Sequence, residues 1–502
     1  MSARRHAGEH PRRHRTPEVL RKEKNMSNNP IISLTNGMIA DPARRRPLPI
    51  DFSLSQGEQI AIIGDNGSGK SLLVSLLTGG IRLQSGDLRY SFPSGRAAYE
   101  AISLVEFDDA YGTSDGTYYY QRRWNTTDRE AVPTVAQYLS RTPCRDQAWQ
   151  QELFGMLRID QLLEKDIILL SSGELRRLHL ARALSRAPEV LILESPFIGL
   201  DPPTRQDVET LLERITRRTS VILTLTPSEH LPRTVTHVYR IDRERLHPKM
   251  TAAEYLANPV SQPAEKSEQV VLPPVLSPEP DYTNAIEMEG VNISYGKRTI
   301  LQHLDWRVRS GEKWNVTGSN GSGKSTLLSL VCADNPQAYS QRITLFDRPR
   351  GSGESIWDIK RHIGYVSPEL HRAFRINAPA ADIVASGFFD TAGLFRSPNE
   401  EQLRICSQWL ETFGAAELGQ RSFIRLSSGE QRLILLIRAF VKDPGLLILD
   451  EPFHGLDYRR RQRALQVIEA FCRRPHKTLL FVTHYPEELP DCIEHTLHLE
   501  HH

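Results

Sequence analysis

Gly318–Ser319–Asn320–Gly321–Ser322–Gly323–Lys324–Ser325–Thr326 has the spacing Gly-x4-Gly-Lys-Ser. These residue types can hold a chain of phosphates. The glycines allow tight turns that aim several N–H groups into one concavity, Lys324 brings a point charge, and Ser325 can reach a magnesium ion. A second copy stands upstream, Gly64–Asp65–Asn66–Gly67–Ser68–Gly69–Lys70–Ser71, followed by Leu72. Ser71 there repeats the metal-reaching hydroxyl.

The flanking residues position both loops. Trp314–Asn315–Val316–Thr317 reads as a strand and Ser325 to Val331 as a helix, so a helix N-terminus points at the phosphates. Gln59 to Ile63 and Leu72 to Leu77 repeat that order. Lys324 and Lys70 stand 254 positions apart, as do Gly311–Glu312 and Gly57–Glu58. A period of domain size is an internal duplication, far too long for a solenoid. Further matches follow. Leu170–Ser171–Ser172–Gly173–Glu174 returns as Leu426–Ser427–Ser428–Gly429–Glu430, and Val190–Leu191–Ile192–Leu193–Glu194–Ser195–Pro196 as Leu446–Leu447–Ile448–Leu449–Asp450–Glu451–Pro452. Gly199–Leu200–Asp201 returns as Gly455–Leu456–Asp457. The apolar runs of four predict buried parallel strands. The expected fold class is α/β: two tandem P-loop domains, each a mostly parallel sheet with a helical subdomain.

Length and composition frame this reading. A chain of 502 residues suggests two to four domains. A net charge of +2 gives no argument for a nucleic-acid or anionic-membrane partner. Tyr118–Tyr119–Tyr120 with Arg122, Arg123 and Trp124 could stack on bases, but a packed aromatic insertion is favoured. The five cysteines show no metal spacing, and free thiols are expected. No apolar run of 18 residues occurs, so any transport role needs separate membrane subunits. Residues 1–30 read as a basic, disordered leader, 31–246 as the first domain, 247–285 as a proline-rich linker and 286–498 as the second domain. The His501–His502 tail is expected to fray.

The P-loop, Leu-Ser-Ser-Gly-Glu, Leu-Ile-Leu-Asp-Glu-Pro and Gly-Leu-Asp, in that order, resemble the ABC ATPases. Within these, Leu345–Phe346–Asp347, then Gly351–Ser352–Gly353–Glu354–Ser355–Ile356–Trp357–Asp358–Ile359–Lys360 and His362–Ile363–Gly364–Tyr365–Val366, resemble the ModF group, tandem proteins named for molybdenum transport. Gln121–Arg122–Arg123–Trp124–Asn125 is loosely similar to that group too.

The resemblance implies that the two domains pair head to tail, each ATP lying between one P-loop and the opposite Leu-Ser-Ser-Gly loop. For the second domain it implies Tyr295 against adenine, Lys324, Gly323 and the loop N–H groups on the phosphates, and Ser325 and Asp450 on magnesium. Glu451 would position the attacking water, His484 would contact the γ-phosphate, and Ser171 and Gly173 would close the site. Ser427 and Gly429 would close the first. That first site departs from the pattern. Glu194 replaces the aspartate, so its magnesium geometry differs; Ser195 replaces the glutamate; Pro227 or Ser228 falls where His484 would match; and Asp41 matches Tyr295. Binding is expected there without turnover, since loss of a positioned base costs about 10²–10⁴-fold.

Both halves lack the glutamine that the family places after the next strand, with Pro368 and Phe107 in its place. Three functions stay open: an ATPase powering or regulating an importer, perhaps of molybdate, at the inner face of the membrane beside a permease; a soluble ATP-driven clamp on a non-membrane target such as the ribosome; and a module that uses ATP only to hold itself closed. The short linker and Glu451–Pro452–Phe453–His454–Gly455 argue against the ribosome version. A cytoplasmic location is expected.

Overall fold

A computed structural model describes residues 30–39, 49–106, 133–167, 170, 172–197, 202–216, 218–227, 229–242, 245–258, 270–276, 281–295, 298–319 and 321–500. Ser171, Asn320, Phe107, Asp41, Ser228, Gly199–Asp201, the 118–125 cluster, the 1–29 leader and His501–His502 lie outside them.

The apolar runs form the strands expected of them. In the first domain the order is Met250–Thr251, His237–Asp242, Gln59–Ile63, Ser220–Leu225, Val190–Glu194, Ile102–Glu106, with Arg245–Leu246 on the side of His237–Asp242. The pairs among the five long strands are parallel. In the second domain the order is Ile363–Val366, Leu446–Asp450, Thr478–Val482, Lys313–Gly318, His495–Leu499, all parallel. Helices cover both faces of such a sheet, so a strand such as Leu446–Asp450 is buried at every position. Each fully buried Leu or Ile side chain contributes about 1.5–3 kcal/mol.

Each domain also carries an antiparallel sheet that the repeat motifs do not announce. Pro30–Ile39 lies between Pro49–Ser55 and Leu83–Tyr90, and Asn284–Tyr295 between Arg298–Arg309 and Arg342–Leu345. Pro30–Ile39 buries Ile32, Leu34 and Ile39 and leaves Thr35 and Asn36 open, with register shifts that interrupt a strict alternation. The helical subdomains follow. Helix Gln147–Met156 packs with Ser172–Ser185, and Glu400–Thr412 with Ser428–Phe440. In the second, Trp409 stacks near Phe440 at 5.3 Å between centroids and Phe440 near Phe471 at 5.0 Å.

The described residues between 247 and 285 contact both domains. Met250–Thr251 joins the first domain's sheet, and Thr251 caps helix Ala252–Ala257. Val270 and Leu272 pack on the second domain's core, the Thr412 hydroxyl donates to Val271 O at 3.0 Å, and Leu276 N donates to Asp443 at 3.0 Å. Among the described residues no helix is long and apolar enough to cross a membrane.

Candidate functional site

The P-loops sit where the strand order places them. In each domain the strand leading into the loop and the strand ending in the acidic residue flank one common strand, Ser220–Leu225 or Thr478–Val482. Their carboxyl ends therefore converge beside the N-terminus of the helix that follows the loop. Gly69 and Gly323, immediately before helices Lys70–Leu77 and Lys324–Val331, have φ of 107° and 99°, a region that a side chain strains to adopt. The loops are near copies. Lys70 Nζ donates to Gly64 O at 2.6 Å and Asp65 O at 2.9 Å; Lys324 Nζ donates to Gly318 O at 2.7 Å and Ser319 O at 3.0 Å. In both, the buried hydroxyl of the middle serine, Ser68 or Ser322, has no hydrogen-bond partner. An anionic ligand would satisfy it.

The acidic ends differ in chemistry but not in backbone. Ser195 and Glu451 each follow a buried strand with φ of 50° and 49°. Such a residue costs about 1–2 kcal/mol unless it is glycine. Each places its N–H on the neighbouring strand: Ser195 N donates to Thr224 O at 3.1 Å and Glu451 N to Val482 O at 2.9 Å. The two turns are therefore equivalent. The same ladders set Glu194 opposite Thr224 and Asp450 opposite Val482. Counted from there, His484 matches Thr226, which corrects the expected Pro227 or Ser228. Sequence spacing alone missed this because the second half carries extra residues before its last central strands.

Around Glu451 the second domain gathers the expected groups. Asp450 and Glu451 are each only 7 % exposed. His484 Nε2 lies 3.7 Å from Glu451 Oε1, too long for a hydrogen bond. Burial first, then the charges of Asp450 and Glu488, push the Glu451 carboxyl well above the usual carboxylate range, and Lys324 and Arg432 only partly offset this. Arg432, buried on helix Ser428–Phe440, donates to Glu451 O at 3.3 Å and fixes the turn from behind. Motif reading missed Arg432, although Arg176 repeats it and donates to Pro196 O at 3.3 Å. Thr483 and Glu488 brace the histidine turn: the threonine hydroxyl donates to Glu488 Oε2 at 2.8 Å and accepts from Tyr485 N at 3.1 Å. Tyr295 ends strand Asn284–Tyr295, and its hydroxyl accepts from Asn335 Nδ2 at 3.0 Å. Ser325 is half-buried in the first turn of its helix. The oxygen donors of Ser325 and Asp450 suit a hard divalent cation such as magnesium; in the first domain Ser71 and the half-buried Glu194 are their counterparts.

The first P-loop meets the second domain directly. Asn66 Nδ2 donates to Gly455 O. Gly429 lies against the same amide, and a Cβ there would clash with Asn66 Nδ2 and Gly455 O. Glu430 approaches Gly67, whose added Cβ would sit 3.5 Å from its Oε1. Ser427 caps the helix behind, in a capping box with Glu430, whose N–H donates to Ser427 Oγ at 3.4 Å while its carboxylate accepts from Ser427 N at 2.9 Å. Burial raises the Glu430 carboxyl, but the Ser427 N–H and Arg460 more than offset this and hold it below the usual range. Lys70 is 9 % exposed. Burial lowers its pKa despite the carboxylates of Glu229, Asp65, Asp457 and Glu194. Glu229 lies outside every motif; its carboxylate accepts from Thr226 N at 2.5 Å. Gly173 lies in the first turn of helix Ser172–Ser185, and Glu174 pairs with Lys165 at 2.8 Å. Ser171 and Asn320, on the two loops expected to face each other at the second site, lie outside the described residues.

Two P-loops, two acidic turns and a glycine loop of one domain on the P-loop of the other define a tandem nucleotide-binding ATPase. The ABC transporter family model matches residues 48–198 and 301–454, and the chain belongs to that family. It is 36% identical over 459 residues, 89% of this chain and 92% of the relative, to the ABC transporter ATP-binding protein ModF of Escherichia coli K12. It is 30% identical over 471 residues, 90% and 94%, to an uncharacterized ABC transporter ATP-binding protein of Schizosaccharomyces pombe. Among solved structures, an archaeal ribosome recycling factor in complex with a ribosomal stalk protein matches with a TM-score of 0.52 over 92% of this chain and 87% of that one. At 17% identity that likeness concerns the fold alone. The chain is thus a ModF-like tandem ABC ATP-binding protein, of a family whose members hydrolyse ATP, generally with magnesium.

Proposed function

We propose that this chain turns over ATP at the site built on its second domain and holds ATP with little turnover at the first. One observation carries the reading. Ser195 and Glu451 occupy equivalent left-handed turns, yet of these two residues only Glu451 bears a carboxyl. A serine hydroxyl in that place is a very poor base near neutral pH, whereas a carboxylate there can orient a water and accept its proton.

In the second site the loop N–H groups of Gly321, Ser322 and Gly323 and the Lys324 ammonium hold the phosphates. Ser325 and Asp450 hold magnesium, which supplies charge neutralisation on the phosphate oxygens. Glu451 orients the water and takes its proton, His484 contacts the γ-phosphate, and Ser171 and Gly173 close the site from the first domain. Phosphoryl transfer needs mainly positioning and charge neutralisation, which this set supplies. The first P-loop, Gly64 to Leu72, with Ser71 and Glu194 on the metal and Ser427 and Gly429 as its lid, binds a second ATP.

The physiological role that fits best is the energy-coupling or regulatory subunit of a transport system, working with a membrane permease at the inner face of the membrane. Molybdate is the cargo suggested by the likeness to the ModF group. A soluble ATP-driven clamp is the second reading, favoured by Pro368. Where the family places a glutamine for coupling to the membrane partner, Pro368 instead opens helix Pro368–Ala373 behind a Ser367 cap.

Calorimetry with ATP and magnesium tests the binding claim. Two ATP per chain are expected, and one per chain after Lys70→Ala; a single site unaffected by that change overturns it. Co-purification from native membranes against cytosol separates the two roles.

A further inference from the structure

Between the domains lies a cleft of about 110 Å³, lined from one side by Phe197, Arg205 and Glu229 and from the other by His454, Arg461 and Tyr485. One contact spans it in two modes. The Arg205 guanidinium lies 5.2 Å from the Tyr485 ring centroid, and its Nη2 donates to Tyr485 Oη at 2.7 Å. The phenol in turn donates to Phe197 O at 3.4 Å. Tyr485 is therefore held by two residues of the first domain. It follows His484 in sequence, and its N–H is tied to Thr483, so its position governs the turn that presents His484 to Glu451.

The clamp runs one way. Arg461 is the repeat's copy of Arg205, but among the described residues its partners lie in its own domain, with Nη1 3.5 Å from Glu488 and the guanidinium 5.6 Å from the Tyr458 ring. The ladder register puts Pro227 where Tyr485 stands, and proline offers neither ring face nor hydroxyl. Phe197 lies two residues beyond Ser195. The turn that carries serine in place of the glutamate thus serves as an anchor for the loop of the other site.

We propose that Arg205 is a positioning residue for the second site: from the first domain, it clamps Tyr485 and so fixes the turn that carries His484. This rests on the second site being the hydrolytic one. A planar guanidinium both stacks and donates in fixed directions, which a lysine ammonium does not reproduce.

The test uses the full chain with magnesium and ATP, reading kcat, KM for ATP and thermal midpoint for Arg205→Ala, Arg205→Lys and Tyr485→Phe. Arg205→Ala is expected to lower kcat about tenfold, with KM and midpoint unchanged, because one stacked and hydrogen-bonded contact is lost. Arg205→Lys and Tyr485→Phe each keep part of that contact and are expected to lose about threefold. Tyr485→Phe retains the packed ring, so it reports on the clamp even where Arg205→Ala folds poorly. The clamp is refuted by wild-type kcat in both Arg205→Ala and Tyr485→Phe while Glu451→Gln abolishes turnover. It is equally refuted if every loss of kcat is matched by a fall in midpoint. Turnover that persists in Glu451→Gln removes the assignment of the hydrolytic site, and the clamp with it.

Discussion

The two nucleotide sites share a backbone and differ in a handful of side chains. Both P-loops wrap their lysine within 2.6–3.0 Å of two loop carbonyls, and both acidic turns adopt φ near 50°. Yet one turn reads Asp450–Glu451 with His484 behind it, and the other Glu194–Ser195 with Thr226. The difference separates what the two sites share, the backbone of a phosphate cradle, from what they do not, the side chains of the acidic turn. The phosphate cradle depends on backbone N–H groups and glycine, which the first domain has kept. The water activation proposed for the second site rests on Glu451, whose place Ser195 takes in the first.

The sharpest way to break that comparison is Glu451→Gln. Hydrolysis is expected to fall by about 10²–10⁴-fold while ATP stays bound. Ser195→Ala is expected to change little, and steady-state phosphate release for both variants decides the matter: equal losses would end the asymmetric reading. The lids give the next effect. Ser171→Arg is expected to approach the loss in Glu451→Gln, because in the proposed pairing it would obstruct the second site, whereas Ser427→Arg would obstruct the first and cost less turnover.

Restoring the chemistry is a gain-of-function test. Glu194→Asp, Ser195→Glu and Thr226→His, added together to Glu451→Gln, are expected to raise phosphate release at least about tenfold over Glu451→Gln alone. No recovery would place the difference outside these three positions.

The smallest expected effect is on stability. Burial raises the Glu451 carboxyl, so the folded chain keeps a proton that the unfolded chain has released. The group's contribution is then fully present below the ordinary carboxylate range and is lost as pH rises through the raised value. Without nucleotide, Glu451→Gln, which cannot ionise, is expected to unfold about 2–4 °C above wild type near pH 8. The gap should narrow towards pH 5, while Ser195→Ala shows no such trend. Differential scanning calorimetry across this range checks the sign.

Much of this protein was determined by sequence alone. Gly-x4-Gly-Lys-Ser at two places, the repeated Leu-Ser-Ser-Gly-Glu and the apolar strands ending in Glu194 and Asp450 specify two parallel sheets with phosphate loops, because glycine spacing and apolar runs act locally. The loss of the carboxyl at Ser195 is equally local. Other features were decided in three dimensions. The partner of His484 in the repeat is Thr226, because strand pairing rather than chain offset sets the register. Asn66 meets Gly429 and Gly455 across 363 and 389 positions of sequence, and Arg205 meets Tyr485 across 280. No local pattern encodes such pairs. They exist because two folded domains set their loop ends against each other, and the energetics of a contact depend on which surfaces that packing buries.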